Sequence, residues 1–481
     1  MPTVTERPSP TTAAGVRDAG PQRWSPVELL PAVLVALLGG RLLLPGHGLW
    51  FDELFTAEVS RLPLGDIVTA IATGEGTTSY LAGVPPSYNA PYYLVTHLWT
   101  SVPGLGGDTS LRVLSLLATA GGLALITRAL TRLADRATGV LAGLVLAASP
   151  LLLEHSVEAR SYGLAVLATG GAVLGLVRWL QEPPRGLLLF GLAGAGMGLA
   201  HWYAVTVLAA FVTAAVVLRR RRALPVVLTG ALGALPAVGF VALAVLNGTG
   251  ARNAEHLTDS DGEFVVRAAE AWAGGSNPLL YLAVGLAVVG AVRSTGARVV
   301  GTCWLLVPLA LLLVAELVRP VYHPRYLLAG LLGLGVLAAA GAMSLPRPAR
   351  APVGALLLAC ALLASAPLAD RGPRERADDL VAVLAGVHEP GQPVVAADQR
   401  SATGLDHYVR DLAPRLRPDV VLPPDDAPPG ADRVWVVRRL IDGEPEPTDD
   451  DEILRTAGLQ MVEQHDFPAS RTHLVLQLWT R

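Results

Sequence analysis

Long apolar segments recur along this 481-residue chain as far as residue 369. They approach the roughly 20 residues that a helix needs to cross about 30 Å of hydrocarbon. Only 16% of the residues are charged and the mean hydropathy is +0.47, which excludes a soluble protein of this length. The pattern predicts a polytopic α-helical membrane protein with spans near residues 28–45, 110–130, 138–156, 163–180, 187–200, 203–218, 224–246, 278–293, 299–318, 326–345 and 353–369.

One further apolar segment, residues 91–103, is only about 20 Å long as a helix, so we expect it to be short or re-entrant. Around the spans, residues 1–26 have the composition of a disordered tail. We therefore predict a tail at 1–26, a transmembrane domain at 27–369 with an outer loop at 46–90, and a soluble α/β domain at 370–481. In the outer loop, the amphipathic stretches 54–62 and 64–73 are expected to lie along the membrane surface.

Arginine is the basic residue of the short loops, and an excess of arginine keeps short loops in the cytoplasm. Placing these loops inside predicts a cytoplasmic N-terminus, an extracytoplasmic C-terminal domain and a multi-pass protein of a bacterial plasma membrane. It also places the polar residues at the other ends of the apolar segments on the outer face. The arginines concerned are Arg128, Arg132, Arg136, Arg219 to Arg222, Arg293, Arg298, Arg347 and Arg350.

Composition excludes several other classes. The net charge of −3 is divided among loops and tails, and nothing indicates nucleic-acid binding. Cys303 and Cys360 both lie within apolar segments, so neither a disulfide framework nor a thiolate metal site is predicted.

An acidic pair, Asp52-Glu53, follows the first apolar segment and stands among Trp50, Phe51 and Phe55. Ionisable residues at a membrane boundary are candidates for function by default. An apolar setting can raise the pKa of a carboxyl group and make it a useful base. A solvated acidic pair in a loop is the alternative interpretation.

Polar and aromatic residues also mark the ends of later apolar segments. In chain order they are Pro91-Tyr92-Tyr93, Ser156-Val157-Glu158-Ala159-Arg160-Ser161-Tyr162, His201-Trp202-Tyr203, and His323-Pro324-Arg325-Tyr326. With Asp52-Glu53, this ordered set resembles the GT-C membrane glycosyltransferases. The branch concerned is the bacterial one related to protein O-mannosyltransferases, lipid A aminoarabinose transferases and lipopolysaccharide galacturonosyltransferases. Asn89-Ala90 and Val157 depart from the family pattern and leave the sugar open.

The resemblance implies transfer of a sugar, mannose first, from a polyprenyl-phosphate carrier to an acceptor hydroxyl with inversion at the anomeric carbon. Asp52 is the expected base, and Glu53 is expected to tune it, bind the acceptor or ligate a divalent cation such as Mg²⁺ or Mn²⁺. Arg160 and Arg325 are expected to hold the leaving phosphate, because a guanidinium donates to phosphate in a bidentate manner. The other expected substrate-binding residues are Tyr92, Tyr93, Glu158, His201, Tyr203, His323 and Tyr326.

Structural alternatives stand beside these roles. Glu158 and Arg160 are also explained as residues that hold a loop closed by pairing with other parts of the chain, His201 as a capped interface residue, and the tyrosines as an aromatic belt. The acceptor is expected to be a protein, a lipoglycan or a polysaccharide, and membrane lipids are further partners. The alternative functions are a lipid-linked sugar flippase or a non-enzymatic assembly protein of the cell envelope, although no internal repeat of a transporter is visible.

After Asp370 the apolar runs shorten to strand length and alternate with helical stretches. Strands are predicted at 393–397, 433–437 and 473–478, helices at 374–387, 401–412 and 450–459, and a proline-rich loop at 414–432. Since no glycine-rich phosphate loop occurs, this domain is expected to cover the active-site cavity or to position the acceptor. The acidic segment with Glu255, His256, Asp259, Asp261 and Glu263 is interpreted as a solvated loop.

Overall fold

The structure is a computed structural model that describes residues 24–73, 90–248, 263–294, 296–318, 323–423, 431–441, 444–445 and 449–481. The predictions made for the N-terminal tail up to residue 23, for Asn89 and for the acidic segment 255–261 lie outside these residues.

Helices make up the described part of the chain as far as Asp370. In order they are α1 (Leu30–Leu43), α2 (Phe51–Arg61), α3 (Leu64–Thr73), α4 (Ala90–Thr100), α5 (Asp108–Leu133), α6 (Arg136–Ala147), α7 (Pro150–Ser156), α8 (Tyr162–Gln181), α9 (Leu187–Ala200), α10 (Val205–Arg219), α11 (Leu224–Leu246), α12 (Phe264–Trp272), α13 (Asn277–Arg293), α14 (Arg298–Glu316), α15 (Leu328–Ser344) and α16 (Arg347–Ser365). Short 3₁₀ helices precede α1, α10, α11 and α15 and follow α16.

Seven helical stretches of the described residues are long and apolar enough to cross a membrane, or nine if each of two bent helix pairs is one span. The chain is thus a multi-pass membrane protein, but the predicted count of about eleven spans is not established. One stretch, Trp202–Leu246, has 45 residues and would be about 68 Å long if it were straight. It folds back instead, and α11 packs closely on α10, since a Cβ built on Gly230 would lie 2.6 Å from Val212.

The segment with the acidic pair and an arginine-rich loop lie at opposite ends of α5. Near its first turn, Arg112 contacts Glu53 of the acidic pair. At its other end, Arg132 donates to Gln181 at 2.9 Å. The 26 residues between these ends span about 39 Å, which exceeds the hydrocarbon thickness of a bilayer. This separation agrees with the predicted segregation of arginine-rich loops from the acidic pair, while the side of the membrane stays a prediction.

Helix α2 is covered by protein on most sides, and its predicted position along the membrane surface stays a prediction. Its residues from Glu53 to Ser60 are all buried, because α4 covers one side and the C-terminal domain another. Helix α3 buries only Ile67 and Ala70 and keeps its amphipathic character. Helix α4 has 11 residues, which is too short to cross a bilayer and agrees with the predicted short segment.

The C-terminal domain is an α/β unit. Its helices are α17 (Ala377–Val387), α18 (Gln399–Leu412) and α19 (Asp449–Thr456), and its strands are β1 (Val394–Ala396), β2 (Val420–Val421), β3 (Arg433–Ile441), β4 (Glu444–Pro445), β5 (Gln460–Phe467) and β6 (His473–Thr480). The sheet has the order β2-β1-β3-β6-β5, with β1 parallel to β2 and β3, with β6 antiparallel to β3 and β5, and with β4 on β3.

The three predicted strands and three predicted helices all form, but β5 was missed. Its sequence QMVEQHDF is polar, since β5 is an edge strand whose side chains are mostly exposed. The predicted loop at 414–432 instead contains a 3₁₀ helix, Pro414–Asp419, and β2.

One hydrophobic cluster joins the C-terminal domain to the helical part. It includes Leu54 and Phe55 of α2, Tyr93 of α4, Leu380 of α17 and Leu405 of α18. Burial of apolar surface across this junction stabilises the docked arrangement by about 25 cal/mol per Å². The domain therefore packs against α2 through a shared core.

Candidate active site

The acidic pair lies in the first turn of α2, which begins at Phe51. Trp50 has an extended backbone and occupies the N-cap position, and its N–H donates to Glu53 Oε2 at 3.4 Å. The first N–H groups of a helix lack helical partners, and its positive end favours carboxylates. The helix terminus thus explains why two adjacent acids are tolerated beside a membrane segment.

Glu53 is the buried member of the pair, with 1% of its surface exposed. Arg112 binds both of its carboxylate oxygens, at 2.9 Å to Oε1 and 2.6 Å to Oε2. The backbone N–H of Ala159 donates to Oε1 at 2.8 Å. Because a buried carboxylate needs such partners, Glu53 ties together α2, α5 and the loop between α7 and α8.

Asp52 is the accessible member, with 20% of its side chain exposed. Its Oδ2 lies 3.1 Å from Nη1 of Arg325, and Nη1 of Arg160 donates to its backbone carbonyl at 3.1 Å. Tertiary structure therefore brings together three of the predicted residues from distant parts of the chain. A carboxylate next to two guanidinium groups is a suitable setting for a base beside a site for an anion.

The loop that carries Glu158 and Arg160 is held on both sides. Ser115 of α5 donates its hydroxyl to the Arg160 carbonyl at 2.9 Å. Close packing of α8 on α5 fixes this approach, because a Cβ on Gly163 would clash with the Ser115 carbonyl. The sequence needs glycine there for the two backbones to meet.

Glu158 is occupied by contacts within the chain. It pairs with His155 at 2.9 Å and with Arg374 of the C-terminal domain. Burial alone would raise the pKa of Glu158, but Arg374 and His155 hold that pKa well below its usual range. Arg374 also contacts Glu154 at 2.8 Å and lies over the Trp50 ring at 5.3 Å. These contacts match the structural alternative for Glu158.

Aromatic and imidazole rings form a cluster beside Arg325. Tyr203 and Tyr326 stack with centroids 4.8 Å apart, and His201 lies 5.6 Å from Tyr203 and 5.4 Å from Tyr326. His323 lies 5.5 Å from Tyr326. Four predicted residues from two distant segments thus form one connected cluster.

The two histidines of this cluster are neutral. Burial lowers the pKa of His201 to about 3, and the positive charges of Arg160 and Arg325 act in the same direction. Burial and Arg325 likewise lower the pKa of His323 to about 3. A neutral imidazole donates or accepts a hydrogen bond but adds no charge, so the arginines supply the positive potential of the site.

Tyr92 and Tyr93 lie elsewhere. Tyr92 is 1% exposed and its hydroxyl is 3.5 Å from the Ser115 hydroxyl, while the Tyr93 ring packs edge-on against Phe55. Tyr93 is 3% exposed, so neither tyrosine belongs to an exposed aromatic belt, which was the structural alternative for them. Their predicted role in substrate binding stays a prediction.

Sequence reasoning assigned no role to Arg112, Arg374, His155 or Tyr162. Arg112 carried a signal, since an arginine near the start of an apolar helix needs a buried partner. His155 and Tyr162 extend the aromatic cluster, at 5.0 Å from each other and with Tyr162 5.6 Å from His201. Arg374 carried no signal, because its partners are more than 200 residues away in the chain.

Across the described ranges, no three His, Cys, Asp or Glu side chains are grouped to hold a metal ion. The Glu53 oxygens accept from Arg112 and Ala159, and the Asp52 carboxylate pairs with Arg325. A divalent cation at the acidic pair stays a prediction. A cavity of about 110 Å³ beside Glu53 and Glu158 has room for a few water molecules.

No family model and no curated protein sequence matches the chain. Solved structures do match. ArnT from Cupriavidus metallidurans in the apo state aligns with a TM-score of 0.59 and 14% identity over 93% of this chain and 97% of ArnT. ArnT bound to undecaprenyl phosphate aligns with a TM-score of 0.57 and 14% identity over 94% of this chain and 97% of ArnT. The arabinofuranosyltransferase AftD from mycobacteria aligns with a TM-score of 0.53 and 17% identity over 94% of this chain but only 40% of AftD.

These likenesses extend over the helical part and the C-terminal domain together, since they cover more than nine tenths of the chain. At such low identity they establish the fold. The sequence-based prediction of a GT-C-like membrane fold is confirmed, and the chain has the fold of the GT-C membrane glycosyltransferases ArnT and AftD.

Proposed function

We propose that this protein transfers a sugar from a polyprenyl-phosphate carrier to a hydroxyl group of an acceptor. The observation that carries the proposal is the contact of the partly exposed Asp52 carboxylate with Arg325 at 3.1 Å, beside Arg160. A base adjacent to groups that bind phosphate is what displacement at an anomeric carbon requires. The shared fold with ArnT, whose structure is also known with undecaprenyl phosphate bound, supports the class of donor.

In the proposed reaction, Asp52 accepts the proton of the acceptor hydroxyl while the hydroxyl oxygen attacks the anomeric carbon. The bond from that carbon to the phosphate oxygen breaks, and its electron pair leaves with the lipid phosphate. Attack from the opposite face inverts the anomeric configuration. Arg325 and Arg160 stabilise the negative charge that develops on the leaving phosphate, and their burial strengthens this interaction.

The other residues then take supporting roles. Glu53 positions α2 against Arg112 and the loop at Ala159 and does not contact the substrate. The stacked rings of Tyr203 and Tyr326 provide an apolar wall with two hydroxyl groups, suited to a donor sugar or the first isoprene unit.

The identity of the sugar is part of the proposal. Mannose, expected from the sequence, finds no support among the similar structures. AftD is an arabinofuranosyltransferase, so arabinofuranose joins mannose at the head of the candidates, followed by galacturonate. The predicted acceptors, which are protein, lipoglycan and polysaccharide, are tested with each donor.

The test is sugar transfer by detergent-purified protein supplied with a panel of radiolabelled polyprenyl-phosphate sugars. Asp52→Asn keeps the shape of the side chain but removes its basicity, so turnover should fall about a hundredfold or more. Asp66→Asn is the matched control, because Asp66 is exposed in the first turn of α3. Transfer at the wild-type rate by folded Asp52→Asn protein would remove Asp52 as the base.

Two further measurements test the flippase alternative and the predicted divalent cation. A flippase would move the labelled lipid across a vesicle membrane without forming a new glycosidic bond. Loss of transfer in a chelator, with recovery on adding Mg²⁺ or Mn²⁺, would show that transfer needs a divalent cation, as predicted from the acidic pair.

A further inference from the structure

The segment that leads into the acidic helix is held by the C-terminal domain. Residues 48–50 are buried, and three backbone N–H groups of this segment donate to side chains of that domain. These bonds are Gly48 N to Asp378 Oδ2 at 3.2 Å, Leu49 N to the Tyr408 hydroxyl at 2.6 Å, and Phe51 N to Glu375 Oε2 at 3.1 Å.

The helix itself has no acceptors for these groups. Phe51 is the first residue of α2, so its N–H has no partner one turn earlier. Leu49 is fully buried and precedes the helix. A buried N–H without an acceptor is costly, and the acceptors come from Glu375 and Tyr408, which are 1% and 5% exposed.

Side chains of the same segment contact the C-terminal domain as well. The guanidinium groups of Arg374 and Arg471 each lie over the Trp50 ring, 5.3 and 5.5 Å from its centroid. Arg400 lies 4.7 Å from the centre of the Phe51 ring. The domain thus contacts each residue from 48 to 51, immediately before Asp52.

We propose that Glu375 and Tyr408 are positioning residues for Asp52. Through the N–H groups of Phe51 and Leu49 they fix the first turn of α2, so that Asp52 meets Arg325 and the acceptor hydroxyl. Sugar transfer then requires the docked C-terminal domain. This inference rests on the proposed role of Asp52.

Docking itself has other contacts, which makes the proposal testable. His407 of α18 is fully buried and bonds to Glu58 at 2.8 Å and to Asp108 at 3.1 Å. Arg61 pairs with Asp411 at 2.7 Å. Because these contacts do not involve residues 48–51, loss of one acceptor there should leave the domain docked.

The experiment measures kcat and the donor KM of purified full-length variants. Glu375→Ala and Tyr408→Phe should each lower kcat by roughly tenfold to a hundredfold at a donor KM within about twofold of wild type, since small misplacements of a reacting group have effects of this size. Glu375→Gln keeps an acceptor oxygen for Phe51 N and should retain the wild-type kcat within about threefold. Asp411→Asn, at the same interface but away from the segment, is the matched control.

Docking is followed in parallel by limited proteolysis of the connection between Asp370 and α17. Wild-type kcat in both Glu375→Ala and Tyr408→Phe, in a preparation where Asp52→Asn is inactive, would overturn the positioning role and leave the proposed function intact. An equal loss in Glu375→Gln and Glu375→Ala would also overturn it, because the hydrogen bond to Phe51 would not be the cause. Activity in Asp52→Asn would instead remove the proposed function.

Discussion

Arg112 gives the sharpest test of how the acidic pair is built. Its guanidinium donates to both oxygens of Glu53 and also to the carbonyls of His47 and Gly48, at 2.6 and 2.9 Å. Replacing Arg112 with Gln removes the positive charge and most of these bonds. Glu53, which is 1% exposed, would then be a buried carboxylate without its countercharge.

The expected magnitude follows from this burial. Removing one partner of a buried ion pair costs about 3–5 kcal/mol, whereas an exposed pair contributes about 0–1 kcal/mol. Arg112→Gln should therefore lower the free energy of unfolding by about 3–5 kcal/mol. Glu53→Gln should cost less, because the Arg112 side chain is 13% exposed and reaches water. The double variant should be more stable than the sum of the two single losses predicts, by about 2 kcal/mol.

The assay is reversible unfolding of the four proteins in detergent, followed by fluorescence. Arg185→Gln is the matched control, since Arg185 is 80% exposed and pairs with Glu182 on the surface. It should change the free energy of unfolding by no more than about 0.5 kcal/mol. If Arg112→Gln is as stable as Arg185→Gln, or if the cycle is additive, Glu53 is not held as a buried ion pair and the reasoning is refuted.

Three other predictions concern charge, pH and topology. Arg160→Lys and Arg325→Lys should raise the donor KM despite their retained charge, because lysine lacks the bidentate geometry, and unchanged donor affinity in both would exclude them as phosphate ligands. Burial alone would lower the pKa of His407, but hydrogen bonds to Asp108 and Glu58 raise it to about 9 from 6.5. The stability it contributes, on the order of 3 kcal/mol, is therefore fully present below pH 6.5 and lost as pH rises through 9. Thermal unfolding of wild type should show this fall and His407→Gln should not, and equal pH profiles would contradict it. A reporter fused after Arg481 should be active only outside the cytoplasm, and activity confined to the cytoplasm would reverse the predicted orientation.

Individual candidate residues could be predicted from their places in the sequence. Asp52-Glu53, Arg160, His201 and Arg325 are ionisable residues at the ends of apolar runs, where the cost of burial in a membrane makes charge informative. Their order along the chain also indicated the GT-C fold, which the solved structures confirm. Strands β3 and β6 were readable as short apolar runs, because both faces of each strand are buried within the sheet domain.

The contacts between residues far apart in the chain could not be predicted from the sequence. The sequence gives no reason why Glu53 is buried against Arg112 while its neighbour Asp52 is accessible and meets Arg325, since those partners lie 59 and 273 residues away. It likewise could not show that α2 is covered by the C-terminal domain, because amphipathic character indicates a buried face and not what buries it. Local apolar and charge patterns therefore determined the membrane fold and most of the candidate residues. Only the tertiary contacts decided that Asp52 meets Arg325 and that Glu53 is buried against Arg112, because burial and ion pairing depend on residues far apart in the chain.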